Sequence, residues 1–139
     1  MEITAKEFQH VELITIKGRM DSIEAPLLAQ ALESAYHRGK YRIVVDMGQL
    51  EYMSSAGFRA LGDAQRNSKR HHGGEVILAQ VSDRIHEALE LVGFTESFRI
   101  IDDVPSALDF AANLPAGDSS ADVKKPLPER NDPSGIKLK

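Results

Sequence analysis

The sequence predicts a small α/β sandwich: a mixed, mostly parallel sheet with helices, in the order β-β-α-β-α-β-α-β-α. Short β-branched apolar runs alternate with segments whose apolar residues recur at helical spacing. That alternation implies right-handed crossovers and parallel pairing. The first two runs stand only two residues apart, which adds an antiparallel hairpin at the start. No large insertion is present that would build an enclosed active site.

The elements follow in order. Ile3 to Phe8 and Val11 to Lys17 read as two short strands joined through Gln9-His10. In the second, Val11, Leu13 and Thr15 share one face and Glu12, Ile14 and Ile16 the other. Neither face is purely apolar, as expected of a strand partly covered on both sides. Asp21 or Ser22 is the expected cap of the first helix, with Glu24 three residues after Asp21. Leu27, Leu28, Ala31, Leu32 and Ala35 follow at helical spacing, and Gly39 ends the helix. Arg42 to Met47 is a strand with a continuous apolar centre, suited to burial on both faces. Ser54-Ser55-Ala56 opens a helix carrying Phe58, Leu61, Ala64 and Gln65 to about His71, stopped by Gly73-Gly74. Val76 to Ala79 is a strand. Ser82 caps a helix with Ile85, Leu89 and Val92 on one face, and Gly93 ends it. Phe98 to Ile101 is the last strand, and Asp103 caps a final helix containing Ala107, Leu108 and Ala111.

Composition bounds the function. The chain has 139 residues, 42% hydrophobic and 27% charged, close to globular averages and unlike a disordered or fibrous chain. A break falls near Pro115: residues 115–139 hold four of the six prolines and few bulky apolar side chains. Such a segment buries too little surface to offset its ordering entropy, so the expected organisation is a folded domain over 1–114 and a flexible Pro-rich tail over 115–139, acting as a linker or as a partner-binding arm. The body has 12 Lys and Arg against 17 Asp and Glu, or −5, and the tail 5 against 4, or +1. This balance argues against a nucleic-acid partner. The basic run Lys69-Arg70-His71-His72 is more simply a favourable partner for the end of a helix dipole. No apolar run reaches the length of a membrane span, and no secretory signal is visible, so a cytoplasmic chain without a membrane partner is expected. With no cysteine there is no disulfide, Cys-based zinc site or thiol nucleophile. The five histidines lack metal-site spacing, and no phosphate-loop, dinucleotide or nucleophile-elbow motif exists, so neither metal nor cofactor is expected.

One stretch, Asp46 to Phe58, runs from a buried strand into a helix start bearing two serines. A plain cap at Ser54 is worth about 1 kcal/mol. It leaves Ser55 unexplained, and also Gly57, since a helical Gly costs roughly 1 kcal/mol relative to Ala. A helix start with free N–H groups tolerates a phosphate well. On the residues alone, a plain cap and a phosphosite stand equally open.

The stretch resembles the signature of the STAS domain, found in anti-sigma-factor antagonists and sulfate transporters. Asp46, Leu50, Tyr52, Met53, Ser55 and Gly57 stand in register with it, and Phe58 replaces the usual Leu. Gly18-Arg19-Met20-Asp21 and Leu91-Val92-Gly93-Phe94 resemble two further family motifs, so the likeness covers about residues 3–112. It implies that Ser55 is phosphorylated by a partner anti-sigma factor with serine kinase activity, with Ser54 as second choice. The unphosphorylated antagonist then binds the anti-sigma factor, and a PPM-type serine phosphatase resets the cycle. Two positions depart from the pattern: Ser54 stands where Asp is frequent, and Arg59 where Gly is frequent.

The strand end and both helix starts share one end of a parallel sheet. Asp21, Ser22, Tyr52, Met53, Ser54 and Gly57 are therefore the expected partner-binding residues around Ser55, with Met53 as exposed apolar surface. A STAS subunit of a transport or signalling scaffold complex, without a phosphorylation cycle, is the alternative. An enzyme with Ser55 as nucleophile is not expected, since no base or signature accompanies it.

Overall fold

Among the described residues, five strands and four helices follow one another in the predicted order. The computed structural model of the chain describes residues 1–71 and 73–115. The predicted tail, from residue 116 onward, and His72 lie outside the described residues. The strands are β1 (Glu2–Phe8), β2 (Val11–Met20), β3 (Arg42–Met53), β4 (Glu75–Ala79) and β5 (Arg99–Ile101). The helices are α1 (Ala25–His37), α2 (Ser55–Lys69), α3 (Asp83–Leu91) and α4 (Val104–Ala112).

The sheet order is β1-β2-β3-β4-β5. β1 pairs antiparallel with β2, from Glu2↔Lys17 to Phe8↔Val11, and the other three pairings are parallel. Gln9 and His10 both take positive φ, 48° and 72°, giving the two-residue reversal the hairpin requires. Because β2 to β5 lie in chain order, crossovers of one hand carry α1, α2 and α3 to the same face. There Leu28, Leu32, Phe58, Leu61, Ile85 and Leu89 pack on Ile14, Ile16, Ile43, Val45, Met47, Val76 and Leu78. α4 follows the last strand and covers the opposite face, where Ala107 and Ala111 meet Val11, Val44, Ile77 and Ala79. Ile43-Val44-Val45 is thus apolar throughout because it is covered on both sides.

Glu12 explains the imperfect alternation of β2. It is 1% exposed, on the helix-covered face, and Arg38 at the end of α1 grips both its oxygens at 3.1 and 2.7 Å. This bidentate hydrogen bond raises the Arg38 pKa.

Four local expectations are corrected. β3 does not stop at Met47: it pairs with β4 only as far as Asp46↔Ala79, then continues along β2 to Met20↔Met53. Register shifts in β2 between Thr15 and Lys17 and between Gly18 and Arg19 accommodate the extension. Neither Asp21 nor Ser22 caps α1: the Asp21 carboxylate instead accepts from the N–H groups of Ile23 and Glu24, both at 3.0 Å, forming a turn before the helix. The helix starts later because Pro26 fits its first turn. That phase buries Ala25, Leu28, Leu32 and Ala35 and turns Leu27 outward, half exposed. Val92 lies past the end of α3 and is exposed, so only Ile85 and Leu89 carry that helix's buried face. The caps at Ser82 and Asp103 form as predicted, accepting from Ile85 at 3.2 Å and Ser106 at 2.7 Å. Gly39 and Gly93 end their helices at φ of 76° and 78°.

Candidate functional site

The long pairing of β2 with β3 builds the site. It carries both strands to a common end, where the Ser54 amide donates to the Met20 carbonyl at 2.9 Å. Asp21 follows Met20 and Ser54 follows Met53, so the turn into α1 and the start of α2 emerge side by side. Asp21, Ser22, Tyr52 and Ser55 are exposed there. The Arg19 guanidinium lies over the Tyr52 ring, 4.8 Å from its centroid, which steadies that ring at the surface.

The two serines divide. Ser54 has the extended backbone of a cap residue, and its Oγ accepts from the Gly57 amide at 3.4 Å. It is only 9% exposed. Ser55 is the first residue of α2 and is exposed. Among the described residues its hydroxyl makes no hydrogen bond, in contrast to that of Ser54. The Gly57 and Phe58 amides are taken by Ser54 Oγ and Ser54 O, the latter at 3.1 Å. The Ser55 and Ala56 amides are left at the positive end of the helix dipole, where an anion is favoured. Arg59 is exposed one turn further on. Chemically, this is an accessible hydroxyl at a helix N-terminus, an environment that favours an anion.

Met53 and Gly57 do not form the expected surface. Met53 is 4% exposed and packs into the core beside Met20. Gly57 is buried over it: a Cβ there would stand 2.5 Å from Met53 Cγ and 3.1 Å from Met20 Sδ. Gly57 is therefore required for close packing of helix on methionine. The strand extension causes this, since it places Leu50 and Met53 on the helix-covered face.

The apolar surface at this end comes from Ile23 and Leu27, neither of which the sequence placed at the site. Ile23 is 84% exposed in the turn after Asp21, and Leu27 stands four residues on. Ile23 was visible as a lone branched apolar residue between polar ones, and Leu27 through the helix phase set by Pro26. Among the described residues no cluster of His, Asp or Glu could hold a metal ion. No helix there is long and apolar enough to cross a membrane.

The family model described as STAS domain matches residues 2–107. The chain belongs to the STAS domain family. The STAS chain is 27% identical over 100 residues to BtrV of Bordetella bronchiseptica, a protein assigned as an anti-sigma factor antagonist. That likeness covers 72% of this chain and 85% of BtrV. SpoIIAA, the anti-sigma factor antagonist and Bacillus cell fate determinant, shares the fold. Its unphosphorylated form superposes with a TM-score of 0.66 at 16% identity, covering 81% of this chain and 99% of that one. A sulfate transporter family protein from Wolinella succinogenes has a TM-score of 0.64 at 28% identity, covering 76% of this chain and 87% of that one.

Proposed function

We propose that this STAS domain is an anti-sigma-factor antagonist switched by phosphorylation of Ser55. The observation that carries the proposal is the division of labour between the serines: Ser54 is closed into a cap, and Ser55 is open at a helix N-terminus. The likeness to BtrV supports the choice of partner. In this reading a kinase-type anti-sigma factor docks on the end of the sheet, over Asp21, Ser22, Ile23, Leu27 and Tyr52. It phosphorylates Ser55, and a PPM-type serine phosphatase in the cytoplasm restores the binding form. The acting unit is residues 1–114, and 115–139 is a linker.

The mechanism is exclusion at the surface. A phosphate adds about −1.5 to −2 charges at pH 7, taking the body from −5 to about −7. At the start of α2 it meets a favourable dipole worth roughly 0.3–1 kcal/mol, so the fold survives. Beneath a docked partner the same group must be desolvated unpaired, at several kcal/mol, and each ~1.4 kcal/mol is tenfold in affinity.

Incubation with the cognate kinase and ATP, followed by peptide mapping, tests the acceptor. One phosphate on Ser55 is expected, and phosphate on Ser54 alone would sink the assignment. Ser55→Asp should melt like the wild type yet bind the anti-sigma factor poorly. Ser55→Ala should bind and resist the kinase. Ile23→Asp should weaken docking without unfolding the domain. A second reading, a transport or scaffold subunit without a phosphorylation cycle, draws on the likeness to the Wolinella protein. Absence of phosphate transfer from any co-encoded kinase would favour it.

A further inference from the structure

At the far end of α2 from Ser55, a cavity of about 470 Å³ opens between that helix and the segment joining α3 to β5. Its floor is made by close contact. Gly62 carries no side chain, and a Cβ there would stand 2.9 Å from Phe94 Cζ, so the ring rests directly on the helix backbone. Phe98 meets Phe94 edge to face, with centroids 6.0 Å apart. The wall is held by Gln65, whose amide donates to the carbonyls of Val76 at 3.0 Å and Ser97 at 2.8 Å. Its oxygen accepts from the Val76 amide at 2.7 Å. These bonds fix the Ser97 segment against α2, so the cavity exists before any ligand arrives.

Arg66, Lys69 and Arg70 line the same cavity, all exposed. Asp63 pairs with Arg66, while among the described residues neither Lys69 nor Arg70 has a carboxylate partner. The dipole of α2 accounts for cations near its end. It does not account for an aromatic floor and a braced wall between them, in a body whose net charge is −5. The volume lies within the roughly 300–1,000 Å³ of small-molecule sites, which pair an apolar lining with a few convergent polar groups.

We propose that this cavity binds a small organic anion: a flat apolar body against Phe94, with a phosphate, sulfonate or carboxylate held by Lys69 and Arg70. The Ser97 hydroxyl supplies a further donor. Gly62 lies seven residues beyond Ser55, roughly 10 Å along the helix, and the basic rim roughly 16–22 Å. The ligand therefore touches neither the phosphoacceptor nor the proposed docking face, and the site stands independently of that function.

The test uses the full chain and 1-anilinonaphthalene-8-sulfonate, a fluorescent aromatic anion. Saturable binding is expected, with amide chemical-shift changes at Gly62, Gln65, Phe94 and Ser97. Phenyl phosphate and benzoate should displace the probe and so rank phosphate against carboxylate; inorganic phosphate and uncharged 1-naphthol should displace it poorly. Lys69→Ala/Arg70→Ala, both at the surface, should weaken binding about tenfold, while the melt stays cooperative and falls by only the few degrees that loss of the dipole contact explains. Gly62→Ala should weaken it by pushing Phe94 into the cavity, checked by the melt. Equal affinity in the Lys69/Arg70 double variant, displacement by inorganic phosphate as strong as by phenyl phosphate, or shift changes confined elsewhere would each overturn the proposal.

Discussion

Replacing Gly57 by Ala sets two terms of opposite sign against each other. Helix propensity favours Ala by at most roughly 1 kcal/mol, and by less at the third helical position than in the interior. Packing opposes it. The new Cβ would stand 2.5 Å from Met53 Cγ, 3.0 Å from Met53 Sδ and 3.1 Å from Met20 Sδ. Unstrained carbon contacts lie at about 3.5–4.0 Å, so Met53 must withdraw by about 1 Å or more. Its Cγ is in mid-chain and both methionines are buried, so relief requires repacking beneath α2. Overpacking of this kind costs about 1–3 kcal/mol. The net expectation is a loss of roughly 1–2 kcal/mol, or a fall of about 4–8 °C in melting temperature. Urea unfolding followed by circular dichroism measures it, with Ser55→Ala as the neighbouring surface control, expected within about 0.5 kcal/mol of wild type. A double-mutant cycle isolates the contact: in a Met53→Ala background the two shortest contacts are gone, only Met20 Sδ at 3.1 Å remains, and the penalty should shrink to a small part of its value. A stability gain from Gly57→Ala, or an equal penalty in both backgrounds, would refute the packing argument and return Gly57 to an exposed role.

Tyr36 donates to the Ala64 carbonyl at 2.8 Å and bonds Ser68 Oγ at 2.9 Å, so Tyr36→Phe strands the buried Ser68 hydroxyl and should cost about 1–2 kcal/mol in urea unfolding. Burial raises the Tyr36 pKa, against a smaller lowering by Ser68. Its contribution is therefore complete below the ordinary tyrosine value of about 10 and is lost as pH rises through the higher folded value, and Tyr36→Phe should flatten that alkaline limb. The Ser106 amide holds the Asp103 carboxyl below its usual range. Stability from this cap is present above about pH 4 and is lost as pH falls through the lower folded value; Asp103→Asn should keep α4 capped and remove that part of the acid limb in a pH series of melts. Arg38→Ala leaves the buried Glu12 carboxylate uncompensated and should lower the urea midpoint, and adding Glu12→Gln should recover part of the loss.

What was legible in the sequence is local. Ser82 and Asp103 cap their helices because a side-chain oxygen and an amide three residues on need nothing else. Gly39 and Gly93 end helices because a left-handed residue strains little without a Cβ. The Ile43-Val44-Val45 run announces a strand covered on both faces, and the chain order of strands and helices then dictates a parallel sheet. Ser54 was legible as the cap, and the family resemblance singled out Ser55 as the expected phosphate acceptor, with Ser54 second. That the Ser54 hydroxyl is buried against the Gly57 amide while Ser55 lies exposed is decided by the backbone angle at which β3 enters α2.

That angle depends on β3 continuing past Gly48-Gln49, residues that read as the end of a strand until β2, some thirty residues earlier, supplies the partner. The same pairing buries Met53, and with it turns Gly57 from a loose helix start into a contact surface. The outward turn of Leu27 and the burial of Glu12 under Arg38 follow equally from distant neighbours. Periodicity and capping are properties of a few consecutive residues, so the chain alone determined them. Which face of an extended strand or helix end meets the core is set by residues far away in sequence, so only the tertiary structure decided it.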